Sequence, residues 1–79
     1  MIRFYKVAGC PYCAKVENKL EDLDIEYETH SVPRARNQRE DVYELTGQYG
    51  VPVIADPEHG VEGMAESSDI VTYLERTYG

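Results

Sequence analysis

Two cysteines three positions apart, Cys10 and Cys13, lie in the stretch "VAGCPYCAKV", and the chain has no others. A pair at this spacing can ligate a metal, close a disulfide or exchange electrons with another thiol, and each use needs different neighbours. A structural zinc site usually takes four ligands, often from two such pairs or from one pair and two spaced histidines. Here the only histidines are His30 and His59, far apart and each alone in its segment. No metal site is expected. A bridge over so short a loop removes little entropy from the unfolded chain, and two cysteines are too few for a secreted disulfide scaffold. Thiol–disulfide exchange is the use the neighbours favour, provided the chain presents Cys10 as a nucleophile and keeps Cys13 within its reach.

The elements around the pair do so. "IRFYKVA" is rich in aromatic and β-branched residues and stops at Gly9, which predicts a strand. Pro11 suits the first turn of a helix, where its missing N–H is not needed, and Val16, Leu20 and Leu23 follow at helical spacing. Cys10 then sits at a loop-to-helix junction, with Cys13 on the same side of the first turn. Backbone N–H groups and the positive end of the helix dipole converge at Cys10 and favour its thiolate, the nucleophilic form. Cys13 is placed to attack a mixed disulfide formed on Cys10.

Further along, "IEYETHSV" alternates Ile25, Tyr27 and Thr29 against Glu26, Glu28 and His30, which predicts an edge strand with one solvated face. Asn37 and Glu40 resemble a capping box before a helix with Val42 and Leu45 inside and Gly47 as its C-terminal cap. "VPVIA" and "VEGM" read as two strands joined by "DPEHG". Ser67 or Ser68 can cap a last helix with Ile70, Val71, Leu74 and Tyr78 facing inward. The order β-α-β-α-β-β-α predicts an α/β fold: three helices and one four-stranded mixed sheet, whose opening strand–helix–strand unit is parallel. One domain over 1–79 is expected.

Bulk properties narrow the partners. A chain of 79 residues buries only roughly 60% of the surface it exposes when unfolded, so its core is small. No stretch approaches the ~18 to 20 apolar residues of a membrane span, and "MIRFYKVAG" lacks the long apolar run of a signal peptide. A soluble cytoplasmic protein is expected. Fifteen acidic residues against eight basic ones leave a net charge of −7, which argues against nucleic acid. An acidic surface with few lysines is also what adaptation to high salt would produce.

With Cys10-Pro11-Tyr12-Cys13 in this setting, essentially the whole chain resembles a glutaredoxin, of the thioredoxin-like superfamily. Val51-Pro52 is similar to the Thr-Val-Pro of glutaredoxins, which implies a cis Pro52. "GMAESSDIVTYL" resembles both the glutaredoxin segment that ends in Ser-Asp and the Glu-Ser segment of glutathione transferase N-terminal domains. The resemblance implies that Ser67, Ser68 and Asp69 hold the γ-glutamyl end of glutathione at a helix N-terminus. The Val51 backbone would pair with its cysteinyl part like an added strand. Arg39 or Gln48 would meet the glycyl carboxylate, and Tyr12 would line the rim. Lys6 lies one position further back than the lysine that glutaredoxins often carry, and Gly50 replaces the usual Thr.

Together these imply a glutaredoxin-like thiol–disulfide oxidoreductase with Cys10 as attacker and Cys13 as resolver. Its expected co-substrate is glutathione or a related low-molecular-weight thiol, with no tightly bound cofactor. Its expected partners are protein disulfides or glutathionylated proteins, met as a monomer. Two rivals differ in partner. One is a thioredoxin-type carrier with no small-thiol site. The other is a module holding a [2Fe–2S] cluster between two subunits, which Pro11 disfavours by the family pattern. The isolated half of a transferase is a third, against which the length of the chain argues.

Overall fold

The computed structural model describes residues 1–79, the side chain of Arg36 excepted. Strands β1 (Ile2–Lys6), β2 (Tyr27–Ser31), β3 (Val53–Asp56) and β4 (Val61–Met64) alternate with helices α1 (Pro11–Asp22), α2 (Glu40–Thr46) and α3 (Ser67–Tyr78) in the expected order. Single turns of 3-10 helix occupy Arg36–Gln38 and Pro57–His59. The sheet order is β2-β1-β3-β4, with β1 parallel to β2, antiparallel to β3, and β3 antiparallel to β4. No helix among the described residues is long and apolar enough to cross a membrane.

The two central strands are covered on both faces, which is why β3 is buried without interruption from Val53 to Asp56. On one face Ile2, Phe4 and Ile54 pack with Cys13, Val16 and Leu20 of α1 and with Ile70 and Leu74 of α3. On the other, Tyr5 and Val53 pack with Val42 of α2. Each fully buried aliphatic side chain contributes roughly 1.5–3 kcal/mol. Cys13 belongs to this apolar layer, so its thiol is part of the core.

Four local expectations change. His30, expected on the solvated face of β2, stacks on Tyr5 with ring centroids 5.1 Å apart. Tyr5 is its register partner on β1 and packs on the α2 side of the sheet, while the His30 side chain stays 38% exposed beside Glu28. Thr29, expected inward, is exposed: the cluster on its side of the sheet takes in Tyr27 and stops there. The capping box is absent. Residues 36–38 turn in a 3-10 conformation, and α2 starts at Glu40 behind Arg39, whose side chain makes no cap bond. Nor does a serine cap α3. Glu66 holds the cap position at φ 72°, swinging the chain out of β4 so that Ser67 is already helical. Gly47 does cap α2, in the left-handed conformation at φ 76°.

Direction along the sheet sets up the site. β1 runs towards the thiols, and β3, antiparallel to it, starts beside them at Val53 and ends away from them at Asp56. α3 likewise starts near Pro52 and finishes at the far end, where Tyr78 meets Asp56.

Candidate functional site

Cys10 caps α1 in an extended conformation, and its Sγ accepts a hydrogen bond from the Cys13 N–H at 3.2 Å. The approach requires a left-handed residue at Gly9, φ 80°, which glycine adopts without steric cost, and Pro11 opens the helix behind it. A sulfur at this position receives an N–H and the positive helix end, both of which stabilise negative charge. Both thiols are free, Cys10 half-buried and Cys13 buried. Burial pushes the Cys13 thiol up to about 12, helped by its hydrogen bond and charge interaction with Cys10; a backbone bond with Val7 and the Lys6 ammonium pull the other way. Cys13 therefore keeps its proton at neutral pH. The pair divides into an accessible sulfur at a helix N-terminus and a buried one that holds a proton.

Two hollows flank the dithiol. The first, about 250 Å³, is lined by Tyr12, Gln48, Gly50, Val51, Pro52, Ala65, Glu66 and Ser67. The Val51–Pro52 peptide bond is cis, as the resemblance implied. This hollow brings together three separate segments: the dithiol turn, the loop entering β3 and the start of α3. The second, about 360 Å³, is lined by Lys6, Val7, Gly9, Cys10, Pro11, Cys13, Ala14 and Glu17.

Of the residues singled out in the sequence, Tyr12, Gln48, Val51, Pro52 and Ser67 meet in the first hollow, with Tyr12 64% exposed at its rim. Others lie elsewhere. Ser68 is exposed on α3, and Asp69 lines a different hollow with Met64, Thr72 and Arg76. Lys6 points to the second hollow, where its Nζ pairs with Glu17 at 3.1 Å. Arg39, proposed from sequence as a carboxylate clamp, is only 7% exposed. It donates from Nε to the Pro33 carbonyl (2.8 Å), from Nη1 to Tyr49 (3.0 Å) and from Nη2 to Arg34 (3.0 Å). A buried guanidinium must satisfy its donors, and the chain folds three carbonyls around it.

Glu66 is the residue that sequence reasoning passed over. Its signal was present in the Glu-Ser pair of the transferase likeness, but the Ser-Asp alignment placed the emphasis two residues later. The first hollow contains no lysine or arginine among the described residues that line it. No group of three or more metal-ligating side chains occurs among the described residues.

Comparison with known proteins agrees with this architecture. The family described as "Glutathione S-transferase, N-terminal domain" matches residues 4–79. An uncharacterized glutaredoxin-like 8.6 kDa protein in the rubredoxin operon of Clostridium pasteurianum is 35% identical over 54 residues, 68% of this chain and 72% of that one. A glutathione S-transferase from the Antarctic clam Laternula elliptica superposes with a TM-score of 0.84 at 29% identity, covering 98% of this chain and 35% of that one. Glutaredoxin 2 from Salmonella typhimurium, solved in complex with glutathione, superposes with a TM-score of 0.85 at 23% identity, covering 100% of this chain and 34% of that one. The chain thus spans about a third of the length of these two solved structures.

Proposed function

The chain belongs to the family of glutathione S-transferase N-terminal domains, with a thioredoxin-like fold, and we propose that within it this protein is a glutaredoxin-like thiol–disulfide oxidoreductase. The observation that carries the reading is the Cys10 sulfur, half-buried at the N-terminus of α1, accepting the Cys13 N–H beside a hollow that joins the cis-proline loop to the start of α3. The Cys10 thiolate attacks the disulfide of a glutathionylated protein, and the protein leaves as its thiol after taking up a proton. The mixed disulfide left on Cys10 is resolved by a second small thiol, which yields the oxidised small-thiol dimer. Alternatively Cys13 resolves it, closing a Cys10–Cys13 disulfide and releasing the small thiol.

In the mixed disulfide the cysteinyl backbone lies along Val51, and the γ-glutamyl end reaches the start of α3. There the Ser67 N–H and hydroxyl face its carboxylate and the Glu66 carboxylate its ammonium. Gln48 offers an amide to the other end, and no lysine or arginine is among the described residues that line the hollow. A small thiol without the glycyl residue, such as γ-glutamylcysteine, whose second carboxylate sits on the cysteine itself, therefore suits the hollow as well as glutathione does. The protein acts as a cytoplasmic monomer on protein disulfides.

Turnover of a glutathionylated peptide by wild type, Cys10→Ser and Cys13→Ser tests the reading, with γ-glutamylcysteine run beside glutathione. Activity is lost without Cys10 and retained without Cys13, and the better reductant identifies the small thiol. No turnover with either thiol, while the wild type still reduces a protein disulfide, moves the protein to the thioredoxin-type class.

A further inference from the structure

The second hollow, which shares no lining residue with the first, is lined by both cysteines and one ion pair. Lys6 is the last residue of β1, directly before Val7, which lines the same hollow as the two cysteines. Glu17 stands four residues after Cys13 on α1, one turn along the same face. Their side chains are 29% and 30% exposed, so the pair is neither dispersed in bulk water nor sealed in the core. An ion pair in that position acts on a neighbouring sulfur at reduced dielectric. We propose that the Lys6–Glu17 pair is the positioning device that sets how readily Cys13 becomes a resolving thiolate, Lys6 promoting the thiolate and Glu17 moderating Lys6.

The inference rests on the reading above only in taking Cys10 as attacker and Cys13 as resolver. Resolution needs the Cys13 proton to leave, and burial opposes this. Once Cys10 is tied in a mixed disulfide it no longer carries charge, which removes two of the causes holding the Cys13 thiol high. Burial then stands against the Val7 backbone and Lys6. The other groups around Cys13 do little. Ile54 of β3 and Ile70 and Leu74 of α3 are apolar. Tyr27 of β2 and Tyr73 of α3, at the margin of the same cluster, have their hydroxyls shifted above the usual 10 and stay neutral. Among the described residues that line the hollow with both cysteines, the charged ones are Lys6 and Glu17, and the hollow opens to solvent, which takes the proton. The step balances: Cys13 S–H loses its proton, its sulfur attacks the Cys10 sulfur, the Cys10–Cys13 bond forms, and the thiolate held on Cys10 leaves.

The test reacts the full reduced chain with the aromatic disulfide dithiobis(nitrobenzoate) in stopped flow. A first burst of coloured thiolate reports attack by Cys10, and a second reports displacement by Cys13. Lys6→Met is expected to slow the second phase about threefold to tenfold at neutral pH and to move its pH midpoint upward by about half a unit to one unit. Glu17→Gln is expected to move the midpoint downward, and Lys6→Arg to keep most of the wild-type rate. Opposite shifts from two members of one ion pair are an electrostatic signature that a merely structural contact would not give. Equal slowing of both phases, shifts in one direction, or no shift in the second phase overturns the proposal. A wild type with no second phase also overturns it, while leaving standing the small-thiol reading, which the glutathionylated peptide decides. If Lys6→Met does not fold, the Glu17→Gln shift decides alone.

Discussion

β3 and α3 each run from one pole of the molecule to the other, and the two poles treat polar groups in opposite ways. At the thiol pole, Glu66 and Ser68 are exposed, Cys10 and Ser67 are half-buried, and the hollow that Glu66 and Ser67 line is open. At the far pole, Asp56 is fully buried, and its Oδ2 accepts the hydroxyls of Tyr73 and Tyr78 at 2.6 Å each. His59 Nδ1 lies 2.8 Å from the same oxygen. Burial alone would raise the Asp56 carboxyl, but the bonds from Tyr73, Tyr78 and His59 outweigh it and hold the carboxyl below its ordinary value. Asp56 Oδ1 is buried without a partner among the described residues, so the closure rests on Oδ2. Polar groups gathered on one another in a small core give rigidity, and polar groups left open to solvent give chemistry. Activity should be lost at the first pole and stability at the second.

The largest expected effect breaks the closed pole. Asp56→Ala leaves two tyrosine hydroxyls and a histidine without their shared acceptor and should cost about 3 kcal/mol. For a chain of this length that lowers Tm by roughly 12–24 °C in a circular-dichroism melt. Turnover per folded molecule, measured well below the transition, should be unchanged. A loss under about 1 kcal/mol, or a matching loss of turnover, would end the contrast between the poles.

Arg39→Met is expected to cost about 2 kcal/mol, read as a lower urea midpoint, because a charged donor to three carbonyls is removed. Since Tyr49 leads into Gly50 and Val51 of the first hollow, KM for the glutathionylated peptide should rise more than kcat falls. An arginine that only met substrate would leave the midpoint where it was.

The far pole should also loosen at both ends of the pH scale. The Asp56 carboxyl is lower in the folded state than its ordinary 3.8, so its contribution is complete above that value and is lost as pH falls through the folded one. The Tyr73 hydroxyl is pushed up from 10 to about 12, by burial first and then by its bond to Asp56. Its contribution is complete below about 10 and is lost as pH rises from 10 through 12, and Tyr78 is shifted in the same direction. Melts across pH should show both losses, with the alkaline one reduced in Tyr73→Phe.

The same two poles explain what was legible in the sequence. Element order, the mixed sheet, the helical junction at Cys10 and the Gly47 cap all follow from periodicity and local turn chemistry, which act over a few residues. His30 was misjudged because β2 has a solvated pattern of its own, and its cover comes from Tyr5, a register partner on another strand. Arg39 reads from the sequence as a partner for the glycyl carboxylate, and nothing local reveals that Pro33, Arg34 and Tyr49 turn their carbonyls towards it. The Asp56 knot was missed for the same reason. "DPEHG" has good turn chemistry whether or not Asp56 is buried, and Tyr73 and Tyr78 lie 17 and 22 residues away. Family likeness supplied the cis Val51–Pro52 bond, for which composition gives no sign. It also pointed to Ser67, but blurred Glu66 by offering two alignments of one segment.

The smallest expected effect on stability is also the sharpest test of the thiol pole. Tyr12 is 64% exposed and lines the first hollow, so its ring covers little of the core. Tyr12→Ala should change stability by less than about 0.5 kcal/mol, the usual range for a surface position. If the ring forms one wall for the bound small thiol, its loss removes apolar contact made in the mixed disulfide, and kcat/KM for the glutathionylated peptide should fall about threefold to tenfold. The first burst with dithiobis(nitrobenzoate) should stay within about twofold, since that reagent needs the Cys10 sulfur and not the hollow. A ring that instead shields the sulfur itself would alter both reactions together. Tyr12→Phe separates the ring from its hydroxyl: retention of wild-type kcat/KM would assign the effect to the aromatic face, and a loss equal to that of Tyr12→Ala would assign it to the hydroxyl.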